Sequence, residues 1–378
     1  MVSARPRQIY LDFNASTPID PRVELVMNHT IDRAYGNPSS PHWAGIPARV
    51  IVDEAREKVA ALLGCKPGEV VFTSGGSESN NQVLKGVFFA RIAERAHIIT
   101  SAVEHPAIVE PCRFLQRLGA RITWLPVDAT GQVSTDDLRR AITADTILIS
   151  IMHANNEVGT IQPIESLAQI AREHGIPFHT DAAQSIGKVS TKVDELGVDF
   201  LTIAGHKLYA PKGIGALYIR EGAVLEPFIH GAGHESGRRA GTESALLVAA
   251  LGEACELAGD LSGMPKTLSL RDRLWMGLKE CCGDRVVLNG HPDERLPNTL
   301  NVSFLDHQAH ELLAGLPELA VSTGSACHAD RVEISPVLQA MGVSPEAGAG
   351  AVRFSLGRST STAEIETAIG LLTRCLST

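Results

Sequence analysis

No run of apolar residues approaches the ~20 that a membrane-spanning helix needs, and the polar, basic segment 1–10 leads into no apolar stretch of the kind a secretory signal requires. Neither a membrane protein nor an exported one is expected, and the expected location is the cytoplasm. Basic charge is also short. There are 34 Lys and Arg against 43 Asp and Glu, a net charge of −9, which argues against nucleic acid or an anionic membrane as the primary partner. The seven cysteines are odd in number and scattered, none pairs at a metal-ligand spacing, and Cys281 and Cys282 are adjacent. That pattern reads as reduced thiols, not a disulfide framework or a zinc site. The fourteen histidines cluster nowhere in a metal-binding pattern, so no metal is expected. Internal repeats and low-complexity segments are missing as well.

What is present is an ordinary globular composition, with 44% hydrophobic and 20% charged residues in 378, enough for a large core and two or three domains. From about residue 54 to 257, strand-like and helix-like segments alternate. Strands are predicted at 69–73, 96–100, 121–125, 146–151, 177–179, 200–203 and 214–219, with amphipathic helices such as 51–63, 108–118 and 164–174 between them. This alternation predicts an α/β fold with a mostly parallel seven-stranded sheet covered on both faces. Ligands on such sheets sit at the carboxyl ends of the strands. At 259–264 the composition shifts to Gly, Ser and Pro, and a helix begins near Lys266. Strand-like 298–304, helix-like 335–341, strand-like 351–355 and a last helix at 362–375 follow. The expected division is a large domain over 15–260 and a smaller α+β domain over 261–378, completed by the arm 1–14.

The strongest local signal is Ala204-Gly205-His206-Lys207-Leu208-Tyr209-Ala210-Pro211, which follows the buried strand at 200–203. A lysine at a strand end, on irregular backbone, is well placed to form a Schiff base with an aldehyde. Alone, it would read as a solvated loop lysine. Its weight comes from Asp181, which ends another predicted strand 207 − 181 = 26 residues upstream. A pyridoxal-phosphate site needs such a carboxylate at the pyridine nitrogen, so that the ring can act as an electron sink. Thr73-Ser74-Gly75-Gly76-Ser77-Glu78-Ser79-Asn80 runs from a strand into a helix. Its glycines admit an anion to free amides at the helix N-terminus, so Gly75, Gly76 and the Ser77 hydroxyl are candidate phosphate ligands, with His206 a further donor. His105 and Asn156 follow two more strand ends, and His105 could stack on the ring or carry protons. Each is an ordinary loop residue by itself. Together, four strand ends bring His105, Asn156, Asp181 and Lys207 to one edge of the sheet.

These residues lie within motifs that resemble the NifS/IscS-like cysteine desulfurases of the class V aminotransferase group and their selenocysteine lyase relatives. The resemblance runs from Tyr10-Leu11-Asp12-Phe13-Asn14-Ala15-Ser16-Thr17-Pro18 to Arg353-Phe354-Ser355-Leu356-Gly357-Arg358. Between them lie Gly36-Asn37-Pro38-Ser39-Ser40, Glu104-His105, Asn155-Asn156-Glu157, His179-Thr180-Asp181-Ala182-Ala183-Gln184 and Gly205-His206-Lys207. It implies fold type I of the pyridoxal-phosphate-dependent transferases. Lys207 would be the Schiff-base lysine, Asp181 the ring-nitrogen partner, and His105 the stacking residue. Gln184 would bond the ring hydroxyl oxygen, Ser77 and His206 the phosphate, and Asn156 and Arg353 the substrate carboxylate. Guanidinium suits that last task because it grips a carboxylate bidentately. The resemblance also implies a homodimer in which Thr242, within Arg239-Ala240-Gly241-Thr242-Glu243, reaches the partner's phosphate. The chain departs from the pattern at Ala204, where many desulfurases carry a phosphate-binding serine.

Ser322-Thr323-Gly324-Ser325-Ala326-Cys327-His328 is the second strong signal. Its Gly, Ser and Ala content predicts a mobile, exposed loop, from which a cysteine can reach a substrate and swing away. Cys65, Cys112, Cys255 and Cys375 are expected to be inert buried thiols. For Cys327 the resemblance implies a thiolate that takes the sulfur of cysteine as a persulfide, leaving alanine, with Lys207 moving the α-proton and His105 the thiol proton. His328 could favour the thiolate if protonated. Selenocysteine lyase is the nearest alternative. Cys327-His328-Ala329-Asp330 and Ala204 fit that branch, whereas Pro106 stands where those lyases carry an acidic residue. Transamination or β-elimination on the same cofactor, and a non-catalytic sulfur scaffold, are the more distant readings. A sulfur-acceptor protein is an expected partner, and iron–sulfur scaffolds, tRNA thiolation proteins and molybdenum-cofactor enzymes all stay open.

Overall fold

The computed structural model describes residues 8–91, 96–323, 325–328 and 331–376, with backbone only at 325–328 and 331–333. A sheet of seven strands organises the larger part: Val70–Thr73 (β1), His97–Ser101 (β2), Arg121–Leu125 (β3), Thr146–Ser150 (β4), Phe178–Asp181 (β5), Phe200–Ala204 (β6) and Gly215–Ile219 (β7). Their order is β1-β7-β6-β5-β4-β2-β3, and β7 alone runs antiparallel to its neighbours. The sheet is therefore mostly parallel, as expected. The reversal at β7 has a simple cause. Residues 205–214, which link β6 to β7, are too few for a crossover helix, so the chain turns straight back.

Every residue of β1, β2, β4, β5, β6 and β7 is buried, whereas the edge strand β3 is partly open. Burial on both faces explains why these strands read as short continuous apolar runs instead of alternating ones. Alternate side chains feed two different cores. Val70, Phe72, Leu201 and Ile203 pack with helices Pro21–Arg33 (α1), Ile46–Leu63 (α2) and Ala245–Ala258 (α5) on one face. Val71, Phe200 and Leu217 pack with Gly76–Ala90 (α3) and Pro106–Arg117 (α4) on the other.

A smaller antiparallel sheet has the order Ser322–Thr323 (β10), Ala351–Ser355 (β13), Thr299–Phe304 (β9), Val286–Asn289 (β8). Helices Met264–Cys282 (α6) and Thr362–Leu376 (α7) supply Leu274, Leu278, Ile365 and Leu372 to its core, together with Ile9 and Leu11 from the N-terminal arm. That arm is stitched in by backbone bonds, Leu11 N to Ala320 O at 2.8 Å and Ser355 N to Leu11 O at 2.8 Å.

The Cys327 segment differs from the open loop its composition predicts. Its backbone is a strand, Ser325–His328 (β11), paired antiparallel with Arg331–Ile334 (β12), and Cys327 lies opposite Val332. Two β-branched residues in the second strand, Val332 and Ile334, favour this pairing over open coil.

Candidate active site

The carboxyl ends of the parallel strands open into a cavity of about 390 Å³, lined by Gly76, Ser77, His105, Asn156, Asp181, Gln184, His206, Lys207 and Arg353 among others. Asp181 is the last residue of β5, and Lys207 follows β6. The two strands are adjacent and parallel, with Asp181 opposite Thr202. Asp181 is 7% exposed, and both its oxygens are engaged: Asn80 Nδ2 donates to Oδ2 at 2.6 Å and Ala183 N to Oδ1 at 2.9 Å. Two donors keep this buried carboxylate in one orientation facing the cavity.

Lys207 closes a turn of 3₁₀ helix that begins at Gly205. A side chain at Gly205 would put its Cβ 2.8 Å from the carbonyl oxygen of Ile214, so only glycine lets the turn pack against the start of β7. The Lys207 amine donates to the carbonyls of Asn14 and Ala15, the second at 3.0 Å. Burial and the nearby Arg353 charge bring its pKa down to about 8, against the pull of Asp181 and Asp12. His206 lies beside it with Nδ1 buried and without a partner among the described residues, and burial lowers its pKa to about 4, so its ring is neutral.

Gly76 opens α3, and Gly75 before it has a φ of +147° with no side-chain cap. The first amides of a helix have no intrahelical partners and carry the positive end of its dipole. Gly215 lets β7 approach this turn, since a Cβ on it would sit 2.7 Å from the Gly75 Cα. Ala204 borders the same corner, its Cβ 3.3 Å from where a Cβ on Gly76 would stand.

His105 caps α4, its Nδ1 accepting from Ala107 N at 3.1 Å, which leaves the ring proton on Nε2 in the neutral form. Loss of hydration lowers its pKa; Asp181 opposes the shift and Lys207 adds to it. The preceding Glu104 anchors this turn from beneath. Its Oε1 accepts from Ser101 Oγ at 2.6 Å and from Met152 N at 2.9 Å, and burial pushes its pKa to about 8. The folded protein therefore holds a proton that the unfolded chain releases near 4.5, so this group contributes stability that is lost as pH rises from 4.5 to 8. Glu104→Gln removes the titration. Relative to wild type, its melting temperature should climb across that window; a constant difference between the two would show that Glu104 is ionised throughout.

Arg353, on β13, is 8% exposed, and its whole strand is buried. One Nη donates to Asn156 O at 2.9 Å, and the other to Asp12 Oδ1 and Ser322 Oγ, both at 2.8 Å. Its Nε is buried without a partner among the described residues, a donor turned to an acceptor the protein itself does not supply. Asn156 lines the cavity, and its carbonyl oxygen also accepts from Asn14 Nδ2 at 3.2 Å.

Two predicted site residues stand apart. Thr242 is exposed and does not line the cavity of its own chain, and the Cys327 side chain lies outside the described residues. Of the cysteines expected to be buried, Cys112 and Cys255 are, but Cys65 and Cys375 are only half-buried. Both sit at helix ends, Cys65 just past α2 and Cys375 in the last turn of α7, where the chain turns out of the core. Burial still pushes the Cys65, Cys112 and Cys255 thiols up to about 12.

Sequence reasoning passed over Asn14, Asn80 and Asp12 as site residues. Asn14 is 1% exposed: its carbonyl accepts from Lys207 and from Gln184 Nε2, and its side chain bonds Thr299 and Asn298. Asn14 and Asp12 sit in the Tyr10–Pro18 motif and Asn80 ends the Thr73–Asn80 motif, so the available signal was position within the motifs.

The residues test well against a phosphorylated pyridine. A fixed carboxylate and a neutral imidazole with a free nitrogen share one cavity with a glycine-lined helix N-terminus and a depressed lysine. Comparison with known proteins agrees. The aminotransferase class V family matches residues 9–367. The cysteine desulfurase IscS of Dictyoglomus turgidum is 47% identical over 376 residues, 98% of this chain and 95% of that protein. Among solved structures, a NifS-like protein superposes with a TM-score of 0.92 at 37% identity, covering 98% of this chain and 99% of its own. SspA in complex with cysteine superposes with a TM-score of 0.83 at 38% identity, covering 93% and 100%.

Proposed function

We propose that this chain, which belongs to the aminotransferase class V family, is a pyridoxal-phosphate-dependent cysteine desulfurase that takes the sulfur of L-cysteine and releases L-alanine. The observation that carries the reading is the meeting, in one cavity, of the depressed Lys207 amine, the doubly held Asp181 carboxylate and the Arg353 guanidinium with an open Nε. Bound pyridoxal phosphate supplies an electron sink. Asp181 keeps the ring nitrogen protonated. Gly76, Ser77 and His206 hold the phosphate, Gln184 donates to the ring hydroxyl oxygen, and His105 covers one face. Arg353 and Asn156 hold the substrate carboxylate. With a pKa near 8, Lys207 is partly neutral at physiological pH and can accept the α-proton. The Nε2–H of His105 donates to the substrate sulfur. Cys327 thiolate attacks the substrate sulfur; the S–S bond forms as the C–S bond breaks, the electron pair stays with carbon, and the sulfur is left as a persulfide.

The test is turnover. Purified protein given L-cysteine and a dithiol should release alanine and sulfide in equal amounts. Bound cofactor with no alanine from cysteine would retire the substrate assignment and leave the family untouched.

Ala204 sets up a gain of function. A serine at this corner adds a hydroxyl donor beside the helix N-terminus, and one hydrogen bond to a charged group contributes about 1.5–3 kcal/mol. Ala204→Ser should therefore tighten cofactor binding by at least about tenfold in an equilibrium titration of the apoprotein. Unchanged affinity would place the phosphate elsewhere.

The working form we infer is a homodimer in which Thr242 reaches the partner's phosphate, with a sulfur-acceptor protein as a further partner and the cytoplasm as its location. Supporting the dimer, Leu25, Ile31, Tyr35 and Trp43 are 54%, 59%, 73% and 77% exposed, an apolar surface that a second copy would cover. Among the described residues no helix is long and apolar enough to cross a membrane. We also take the two sheets as two domains, 15–260 and 1–14 with 261–378.

A further inference from the structure

Lys188 is a half-buried lysine with a buried amine that the reaction does not use. It follows the Asp181–Gln184 turn, and its amine donates to Gln184 Oε1 at 3.1 Å and to Asn14 Oδ1 at 3.4 Å. The charged groups acting on it are both cations, Lys207 from the turn after β6 and Arg353 from β13. Burial, with these two, lowers its pKa to about 7. An amine stripped of water beside two other cations costs the fold stability, so its retention calls for a role.

What it does follows from hydrogen-bond chemistry. A glutamine amide can sit in either of two flipped orientations of nearly the same shape, one with oxygen and one with NH₂ on a given side. The Lys188 amine donates to two oxygens, Gln184 Oε1 and Asn14 Oδ1, and so fits only one of the two orientations. Oxygen faces Lys188, and Gln184 Nε2 is thereby turned to the Asn14 carbonyl at 3.0 Å, the same oxygen that receives the Lys207 amine. The flipped amide would set NH₂ against the Lys188 amine and oxygen against oxygen at Asn14. The two lysines also share a cavity of about 20 Å³, room for roughly one water.

We propose that Lys188 is a positioning residue: it locks the Gln184 amide so that a donor faces the cofactor ring oxygen. The proposal rests on the reading of Lys207 and Gln184 as cofactor contacts.

The variant to make is Lys188→Met, which keeps the stem and removes donor and charge. Two readouts matter: the cofactor dissociation constant and the pH midpoint of the visible absorbance change of the Lys207-bound cofactor. A donor on the ring oxygen disfavours the protonated lysine nitrogen. Its loss should raise the midpoint by roughly half a pH unit or more and weaken cofactor binding about tenfold. In a Gln184→Leu background, Lys188→Met should change the dissociation constant little further. Lys188→Arg keeps donors for Gln184 Oε1 and should not raise the midpoint; it also serves if the methionine variant fails to fold. An unshifted midpoint in Lys188→Met, even with a lower melting temperature, overturns the proposal, as does a shift in Lys188→Arg as large as that in Lys188→Met. Wild type without any lysine-bound cofactor absorbance would instead overturn the reading beneath it, and the proposal with it.

Discussion

Cys327→Ala protein should bind pyridoxal phosphate as tightly as wild type, show the same spectrum on adding L-cysteine, and release almost no sulfide. The expected loss in kcat is on the order of 10³-fold or more, the scale on which a covalent nucleophile is missed. The separation follows from the fold. The cavity that would hold the cofactor is lined from the carboxyl edge of the seven-stranded sheet and from Arg353 on β13. Cys327 belongs to neither; its backbone lies in the separate β11–β12 ladder. Truncating it removes no described hydrogen bond of Asp181, Lys207 or Arg353. Kinetics with cysteine, read beside a cofactor titration, check both halves. Full sulfide release by Cys327→Ala would give the sulfur-accepting step to another group. Lost cofactor would mean that the segment helps build the cavity after all.

Most of the frame was legible because it is local. Strands such as Val70–Thr73 and Thr146–Ser150 are buried on both faces, so they appear as compact apolar runs, and their ends fall where glycine, histidine, asparagine or aspartate begins. Placing Lys207 and Asp181 together needed only adjacency of two parallel strands. The direction of β7 was less accessible, because it depends on a link of residues 205–214 being too short for a helix. The polar framework was least accessible. Asn14 meets Lys207 across 193 positions of sequence and Arg353 meets Asp12 across 341, and no periodicity encodes such a meeting. Lys188 shows the same limit, since four residues past Gln184 it reads as a surface lysine until the arm is seen to close over it. At Cys327 the composition spoke for an open loop, yet the register with Val332 is a pairing between segments that neither shows alone.

Asp181→Asn is the companion experiment on the other side of the chemistry, and its value lies in how little else it should disturb. Asp181 accepts from Ala183 N and from Asn80 Nδ2, and Asn80 Oδ1 is itself buried without a partner among the described residues. An asparagine at 181 can keep its oxygen on Ala183 N and turn its NH₂ toward residue 80. Asn80 then needs only to flip its amide, presenting Oδ1 to that NH₂ and placing its own NH₂ where Oδ1 now stands unpartnered, so the number of idle groups does not rise. The fold should survive with a melting temperature within a few degrees of wild type. The chemistry should not. A neutral amide cannot hold the ring nitrogen protonated, and losing a preorganised electrostatic partner of this kind lowers turnover by about 10²–10³-fold. Persulfide formation and alanine release should fall together, since both follow the step the ring supports, whereas Cys327→Ala spares the cofactor's response to cysteine. Adding Asn80→Ala to Asp181→Asn strands the new NH₂ and should then cost stability that Asp181→Asn alone does not. If Asp181→Asn turns over cysteine at the wild-type rate, the carboxylate is a helix-turn cap and nothing more, and the partner of the ring nitrogen must be sought elsewhere on the cavity wall.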